Sequence, residues 1–189
     1  MQAPRVDLYT VIHKALRKIE FETILSVGST NFADPEQRSG TLDQVDRLVS
    51  FLEEHMQHEE NAVAALLEEA DAGVAQVLSD QHDQLQSSIG TIKELIGRLR
   101  GAAGGAAVAL GAQLYRALNA HLASDLAHMG REETDGNRVL QAQFDDDRLA
   151  GARAQIQAAI PPPRYAEWLQ LMIPTMNHQE LVGTLAGMR

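Results

Sequence analysis

Breakers divide the chain into long stretches whose apolar residues recur every three or four positions, the period of an amphipathic helix. Leu8, Ile12, Ala15 and Ile19 form one such stripe and predict a first helix over residues 6–27, stopped at Gly28-Ser29-Thr30-Asn31. After a polar loop with Asp34-Pro35 and Gly40, Thr41 and Gln44 have the form of a capping box and predict a second helix running to Ala70. Asp71-Ala72-Gly73 is the next break, followed by a third helix from Val74 to Leu99. Gly101-Ala102-Ala103-Gly104-Gly105 is the clearest linker, because adjacent glycines weaken a helix. A fourth helix is expected from Ala106 to Glu133 or slightly beyond Gly136. Long helices joined by short connections predict an all-α fold, an up-down-up-down antiparallel four-helix bundle over residues 1–143.

Residues 144–189 read as a helical extension packed on the bundle, being too small to fold alone. Asp145-Asp146-Asp147 caps an Ala-rich helix that ends at Pro161-Pro162-Pro163. A short amphipathic piece from Tyr165 to Met172 carries the only Trp, Pro174 ends it, and Asn177 caps a last helix through Met188. Trp168, Leu169, Met172 and Leu181 are the expected apolar contacts.

Composition narrows the chemistry. The 189 residues are 44% hydrophobic but only 4% aromatic, which suits aliphatic helices better than sheets. A net charge of −10 without basic clustering argues against nucleic-acid binding. The absence of cysteine removes disulfides, thiolate metal sites and thiol catalysis, so any metal is held by nitrogen and oxygen. No apolar run is long enough to span a bilayer and the first residues lack the apolar stretch of a signal peptide, so a cytoplasmic protein with no membrane partner is expected.

The histidines change the picture. In a bundle, core positions alternate in steps of three and four, so a polar residue on that repeat points inward. The second helix runs Val45, Leu48, Leu52, His55, Glu59, Ala62, Leu66; the third runs Leu78, His82, Leu85, Ile89, Ile92, Ile96, Leu99. The fourth runs Leu114, Leu118, His121, Asp125, His128, Glu132, and from His121 onward that face is entirely ionisable. Burying such groups costs several kcal/mol each unless a cation compensates the carboxylates and takes the imidazoles as donors. A single histidine such as His82 would be an ordinary hydrogen-bonded core residue; for His55, Glu59, His82, His128 and Glu132 together a shared metal supplies the common explanation. His55/Glu59 and His128/Glu132 each lie four residues apart, within near-identical H-M-x-x-E-E strings. His13 sits beside its stripe, so periodicity leaves its role open. His58 reads as a flanking residue that supports a ligand or faces solvent; His121 and Asp125 either bind metal, orient its ligands or line a pore; His178 binds nothing; Glu53, Glu54, Glu60, Glu68 and Glu69 belong to solvated faces.

These residues resemble the hemerythrin-like family of histidine/glutamate cation-binding bundles. The resemblance rests on Ile12-His13-Lys14-Ala15-Leu16-Arg17, the two H-M-x-x-E-E strings and Asp80-Gln81-His82, covering residues 6–140, with the ending from Trp168-Leu169 through Ile173-Pro174 to Gly187-Met188-Arg189 similar to the extension of bacterial members. It implies two non-heme irons bridged by an oxo or hydroxo group, with His13, His55, His82 and His128 as terminal ligands and Glu59 and Glu132 as bridging carboxylates; manganese or zinc also suits such donors. It implies oxygen, redox or iron sensing, binding or storage, with dioxygen, another diatomic or peroxide as ligand, and binding in preference to catalysis; it names no protein redox partner. An oxidase or peroxidase is the alternative, although only Asp125-Leu126-Ala127-His128 has a carboxylate-x-x-His form; a metal-free scaffold is the other. Oxygen carriers of the family usually have a second histidine four residues from that of the third helix. Here those positions are Leu78 and Gln86, which argues against oxygen carriage and leaves one iron short of an imidazole or served by His58, His121 or Asp125.

Overall fold

The computed structural model describes residues 5–187. The expected helix end at Met188 lies outside them. Every regular element among the described residues is helical: α1 Thr10–Ser29, α2 Pro35–Ala62, α3 Ala64–Ala70, α4 Ala72–Arg100, α5 Gly104–Arg131, a π-helical turn Glu132–Gly136, α6 Asn137–Gln143, α7 Asp146–Ala159, α8 Pro162–Met172, a 3-10 turn Ile173–Thr175 and α9 His178–Gly187. No helix among them is long and apolar enough to cross a membrane. The chain divides into two compact units. One holds the described residues up to Lys18, Gln57–Leu78 and those from Met129 onward; the other holds Ile19–Met56 and Ser79–His128.

The second of these units contains segments of four long helices whose contacts run antiparallel. Lys93 pairs with Glu53 at 2.8 Å and Arg100 with Asp46, so α4 descends as α2 rises. His82 meets His128, and Ser88 meets His121, so α5 rises against α4. The reversals are sharp. Gly104, at φ +54°, opens α5 in a conformation that only glycine adopts cheaply. The core is aliphatic, with Leu48, Ile89, Ile92, Ile96, Leu99, Leu114 and Leu118 fully buried beside Phe51.

Two expectations need correction here. The second helix does not begin at Thr41. Pro35 takes the first helical position, where its missing N–H costs nothing, and the Asp34 carboxylate accepts from the backbone N–H of Glu36 at 2.9 Å and Gln37 at 3.3 Å. Thr41 lies inside α2 and its hydroxyl meets that of Thr30 at 2.7 Å. The buried face of the first helix is also centred one residue later than the aliphatic stripe. Tyr9, His13, Leu16, Glu20, Thr23 and Val27 are all buried, and of the stripe Ala15 and Ile19 are buried beside them while Leu8 and Ile12 are half-exposed.

The other unit packs Tyr9, Val63, Leu66, Leu67 and Leu78 with Val139, Leu140, Leu149 and Ala152. The break between α2 and α3 is slight, since Val63 N–H still donates to Glu59 at 2.8 Å and its carbonyl accepts from Leu67 at 3.0 Å. Arg5 closes the unit: its guanidinium reaches the Asp146 carboxylate and the carbonyls of Gln141 and Phe144 at 2.7–2.8 Å. The extension belongs to this unit. Asp145 caps α7 through the Arg148 N–H, and Asn177 and Glu180 cap α9 reciprocally at 3.0 and 2.8 Å. Glu180 also takes Lys14 at 2.6 Å. Of the expected contacts Trp168 is buried, while Leu169, Met172 and Leu181 are only half-buried, because Leu171, three residues after Trp168, shares its inward face.

The first helix begins at Thr10 because Asp7 caps it, accepting from Tyr9 N–H, Thr10 N–H and the Thr10 hydroxyl at 2.6–2.9 Å. Burial alone would raise this carboxyl, but bonds from Thr10, Asn137 and Tyr9 outweigh it and hold it below its ordinary 3.8. A depressed carboxyl stabilises the fold above its unfolded value and loses that contribution as pH falls through the folded one. Asp7→Ala is therefore expected to cost about 1 kcal/mol at neutral pH in urea unfolding. The difference from wild type should narrow as the pH falls below the ordinary 3.8 and close only below the depressed folded value.

Candidate metal centre

Two histidine and carboxylate pairs arise from simple helix geometry. His55 and Glu59 lie one turn apart on α2, and His128 and Glu132 one turn apart from α5 into the π-helical turn, so each pair shares a face. All four residues are buried, as is His13, which has no exposed surface.

In the unit that contains Tyr9, the His13 imidazole is the centre. Its Nε2 lies 3.3 Å from Glu132 and 3.8 Å from Glu59, and its Nδ1–H donates to Glu133 at 3.1 Å. Consecutive residues of an α-helix do not face the same way. The π-helical turn allows Glu132 and Glu133 to reach the two nitrogens of one ring, and such turns are frequent at functional sites. Arg17 donates to the same Glu133 oxygen at 2.6 Å. Burial would raise the Glu133 carboxyl, yet the bonds from His13 and Arg17 pull it down to about 2. Burial lowers and the contacts with Glu132, Glu133 and Glu59 raise the His13 imidazole; the contacts win. Tyr9 packs against the His13 ring at 5.6 Å, its hydroxyl buried without a hydrogen-bond partner among the described residues. Burial first, then the charges of Glu132 and Glu59, push that hydroxyl well above 10.0.

In the other unit, the His82 and His128 rings meet edge to face with centroids 4.5 Å apart, and His128 Nδ1–H donates to Gln81 Oε1 at 3.2 Å. With Nδ1 occupied in both His13 and His128, Nε2 is the nitrogen left for a metal, the arrangement by which a second residue orients a ligating imidazole.

The donors fall into two sets, each offering ligand atoms within 4.8 Å of one another: His13, His55, Glu59 and Glu132, and Glu59, His82, His128 and Glu132. Each combines two imidazoles with the same two carboxylates, nitrogen and oxygen donors that suit a divalent cation. Residues whose buried carboxylates gather around imidazoles in this way fit a metal. Gln81→Ala should weaken metal binding by about 10–100-fold while leaving the chain folded, because it frees the His128 ring without removing a ligand; a competition titration against a chelator measures it.

The six expected ligands are all in these sets. His58 is not; it is half-buried and packs against Trp168 with ring centroids 6.3 Å apart. His121 and Asp125 fall instead with Glu20 in a third set. Neither His58 nor this pair supplies the imidazole missing beside His82. His178 is exposed at the start of α9. Periodicity and motif spacing missed Glu20, Tyr9 and the roles of Arg17, Gln81 and Glu133. Glu20 carried a detectable signal, standing seven residues after His13 on one helix, the spacing of equivalent seam positions.

No curated protein matches the chain. Its residues 5–135 match the Hemerythrin HHE cation binding domain, a span that includes every member of the two donor sets. By its matched span, its helical architecture and its buried histidine and glutamate clusters, this metal-binding chain belongs to the hemerythrin HHE cation-binding family.

Proposed function

We propose that the protein holds a non-heme di-iron centre and uses it to sense, bind or store oxygen, redox ligands or iron. The observation that carries this reading is the overlap of the two donor sets in Glu59 and Glu132. A carboxylate has two oxygens, so two shared carboxylates are what a pair of bridged cations requires. His13 and His55 then serve one iron, and His82 and His128 the other. Bound iron supplies one-electron change and open positions for a small ligand such as dioxygen or peroxide.

The chain's own residues set how that chemistry is used. Glu133, itself anchored by Arg17, and Gln81 fix the His13 and His128 rings. Leu52 and Leu85, one turn from His55 and His82, are buried and give those imidazoles apolar neighbours on their own helices. Leu78 packs among apolar residues and so adds no ligand on α4. That poverty of imidazoles favours sensing or storage over reversible oxygen carriage.

Metal analysis with an optical spectrum of the aerobically purified protein is the test. Two irons per chain, as the two donor sets require, with near-ultraviolet charge-transfer absorption, are expected. A single zinc, or a metal-free protein equally folded in chelator, would overturn the reading. Steady-state peroxide turnover above that of free iron would move it to an enzyme.

A further inference from the structure

The third donor set lies entirely within the unit formed by Ile19–Met56 and Ser79–His128. Glu20 of α1 and His121 and Asp125 of α5 each offer a ligand atom within 4.8 Å of the others, and all three are buried. Their places on the helices are systematic. Glu20 is seven residues from His13, His121 seven from His128, and Asp125 seven from Glu132, so each is displaced by one heptad, about 10 Å of helix, from a residue of the sets already described. The corresponding positions on α2 and α4 are Leu48, Leu52 and Ile89, all buried. Half of the donor pattern is repeated along α1 and α5, and the other half is replaced by aliphatic walls.

The state of His121 can be read from its hydrogen bonds. The Ser88 hydroxyl stands 2.8 Å from the Leu85 carbonyl, which can only accept, so its single proton is committed there. The contact of 2.6 Å between Ser88 Oγ and His121 Nδ1 is therefore one in which Nδ1–H donates. Nε2 then carries the lone pair. It is buried and has no hydrogen-bond partner among the described residues. A buried acceptor nitrogen whose tautomer is fixed by a second residue, grouped with two buried carboxylates, is the disposition of a metal ligand.

We propose that Glu20, His121 and Asp125 form a separate, mononuclear site for a divalent transition metal such as Mn(II), Fe(II) or Zn(II). Two carboxylates balance the charge of one such cation, and the nitrogen and oxygen donors suit these metals. Three protein ligands leave positions for water, so the site binds more weakly than a four-donor set and exchanges its cation more readily. It does not depend on the di-iron reading.

Mn(II) alone is the probe. Crystals soaked in Mn(II) should show an anomalous peak bonded to Glu20, His121 and Asp125. The peak should vanish in E20Q/D125N, while peaks at the Glu59 and Glu132 sets persist. In E59Q/E132Q it should survive alone, which separates failure of this proposal from failure of the di-iron reading. Ser88→Ala keeps all three ligands and should lower Mn(II) affinity at this site by about 10–100-fold in a solution titration. Absence of the peak in the wild type at saturating Mn(II), its persistence in E20Q/D125N, or unchanged affinity in the Ser88 variant would overturn the proposal.

Discussion

Glu132→Gln is expected to empty both principal donor sets at once. Glu59 and Glu132 are the two residues those sets share, so removing one carboxylate takes a ligand from each and leaves a single negative charge to balance two cations. Loss of a ligand exceeds loss of a supporting residue, so affinity should fall by more than about 100-fold. Elemental analysis of the purified variant should find almost no metal. His82→Ala removes a donor from one set only and should leave the other filled. Stability separates this from misfolding. With Glu132 and Glu59 both close to His13 Nε2, the metal-free wild type buries two like charges against one imidazole. Glutamine keeps the shape and removes one charge, so the metal-free variant should melt no lower than metal-free wild type. A variant that retained the wild-type metal content would count against the shared-carboxylate arrangement.

What the sequence discloses follows from what hydrophobic periodicity can register. On α2 and α4 most seam positions are aliphatic, so the few polar residues stand out, and on α5 Leu114 and Leu118 set a register that the ionisable residues continue; His55, Glu59, His82, His128 and Glu132 are legible as inward-facing from their spacing alone. On α1 the seam is polar at His13, Glu20 and Thr23, half of its six positions. The adjacent row Leu8, Ile12, Ala15, Ile19 is more apolar but only its last two residues are buried, so the count centres the face one residue early, hides Glu20 and leaves His13 beside the stripe. A helix whose buried face is reserved for chemistry loses the pattern by which burial is recognised. The helix start at Asp34-Pro35 is local and readable. The Thr41 and Gln44 pair competes with it because the capping-box motif carries no information on what precedes it. Contacts such as Arg5 with Asp146, or the two bonds of Glu133, depend on residues more than a hundred positions apart, which no local pattern encodes.

Gly111→Leu should be the most damaging of the substitutions away from any metal. Gly111 lies on α5 in the middle of an α-helix, where glycine is a poor choice by propensity, so its presence calls for a steric reason. The reason is Phe32, whose ring occupies the space of a side chain: a Cβ placed on Gly111 would stand 2.3 Å from its Cδ2. Phe32 is itself buried and is held by its backbone, since its carbonyl accepts from Arg38 at 2.7 Å, so the ring cannot retreat without disturbing the turn into α2. The improvement in helix propensity from removing a glycine, about 1 kcal/mol, is therefore outweighed by overpacking. A net loss of about 3 kcal/mol is expected in urea unfolding, with metal content per folded chain unchanged. Phe32→Ala alone should cost a similar amount by leaving a cavity. The double variant should lose less than the sum of the two, because the leucine then fills the space the ring vacates. Additive losses would show that the contact between Phe32 and Gly111 is not what excludes a side chain there.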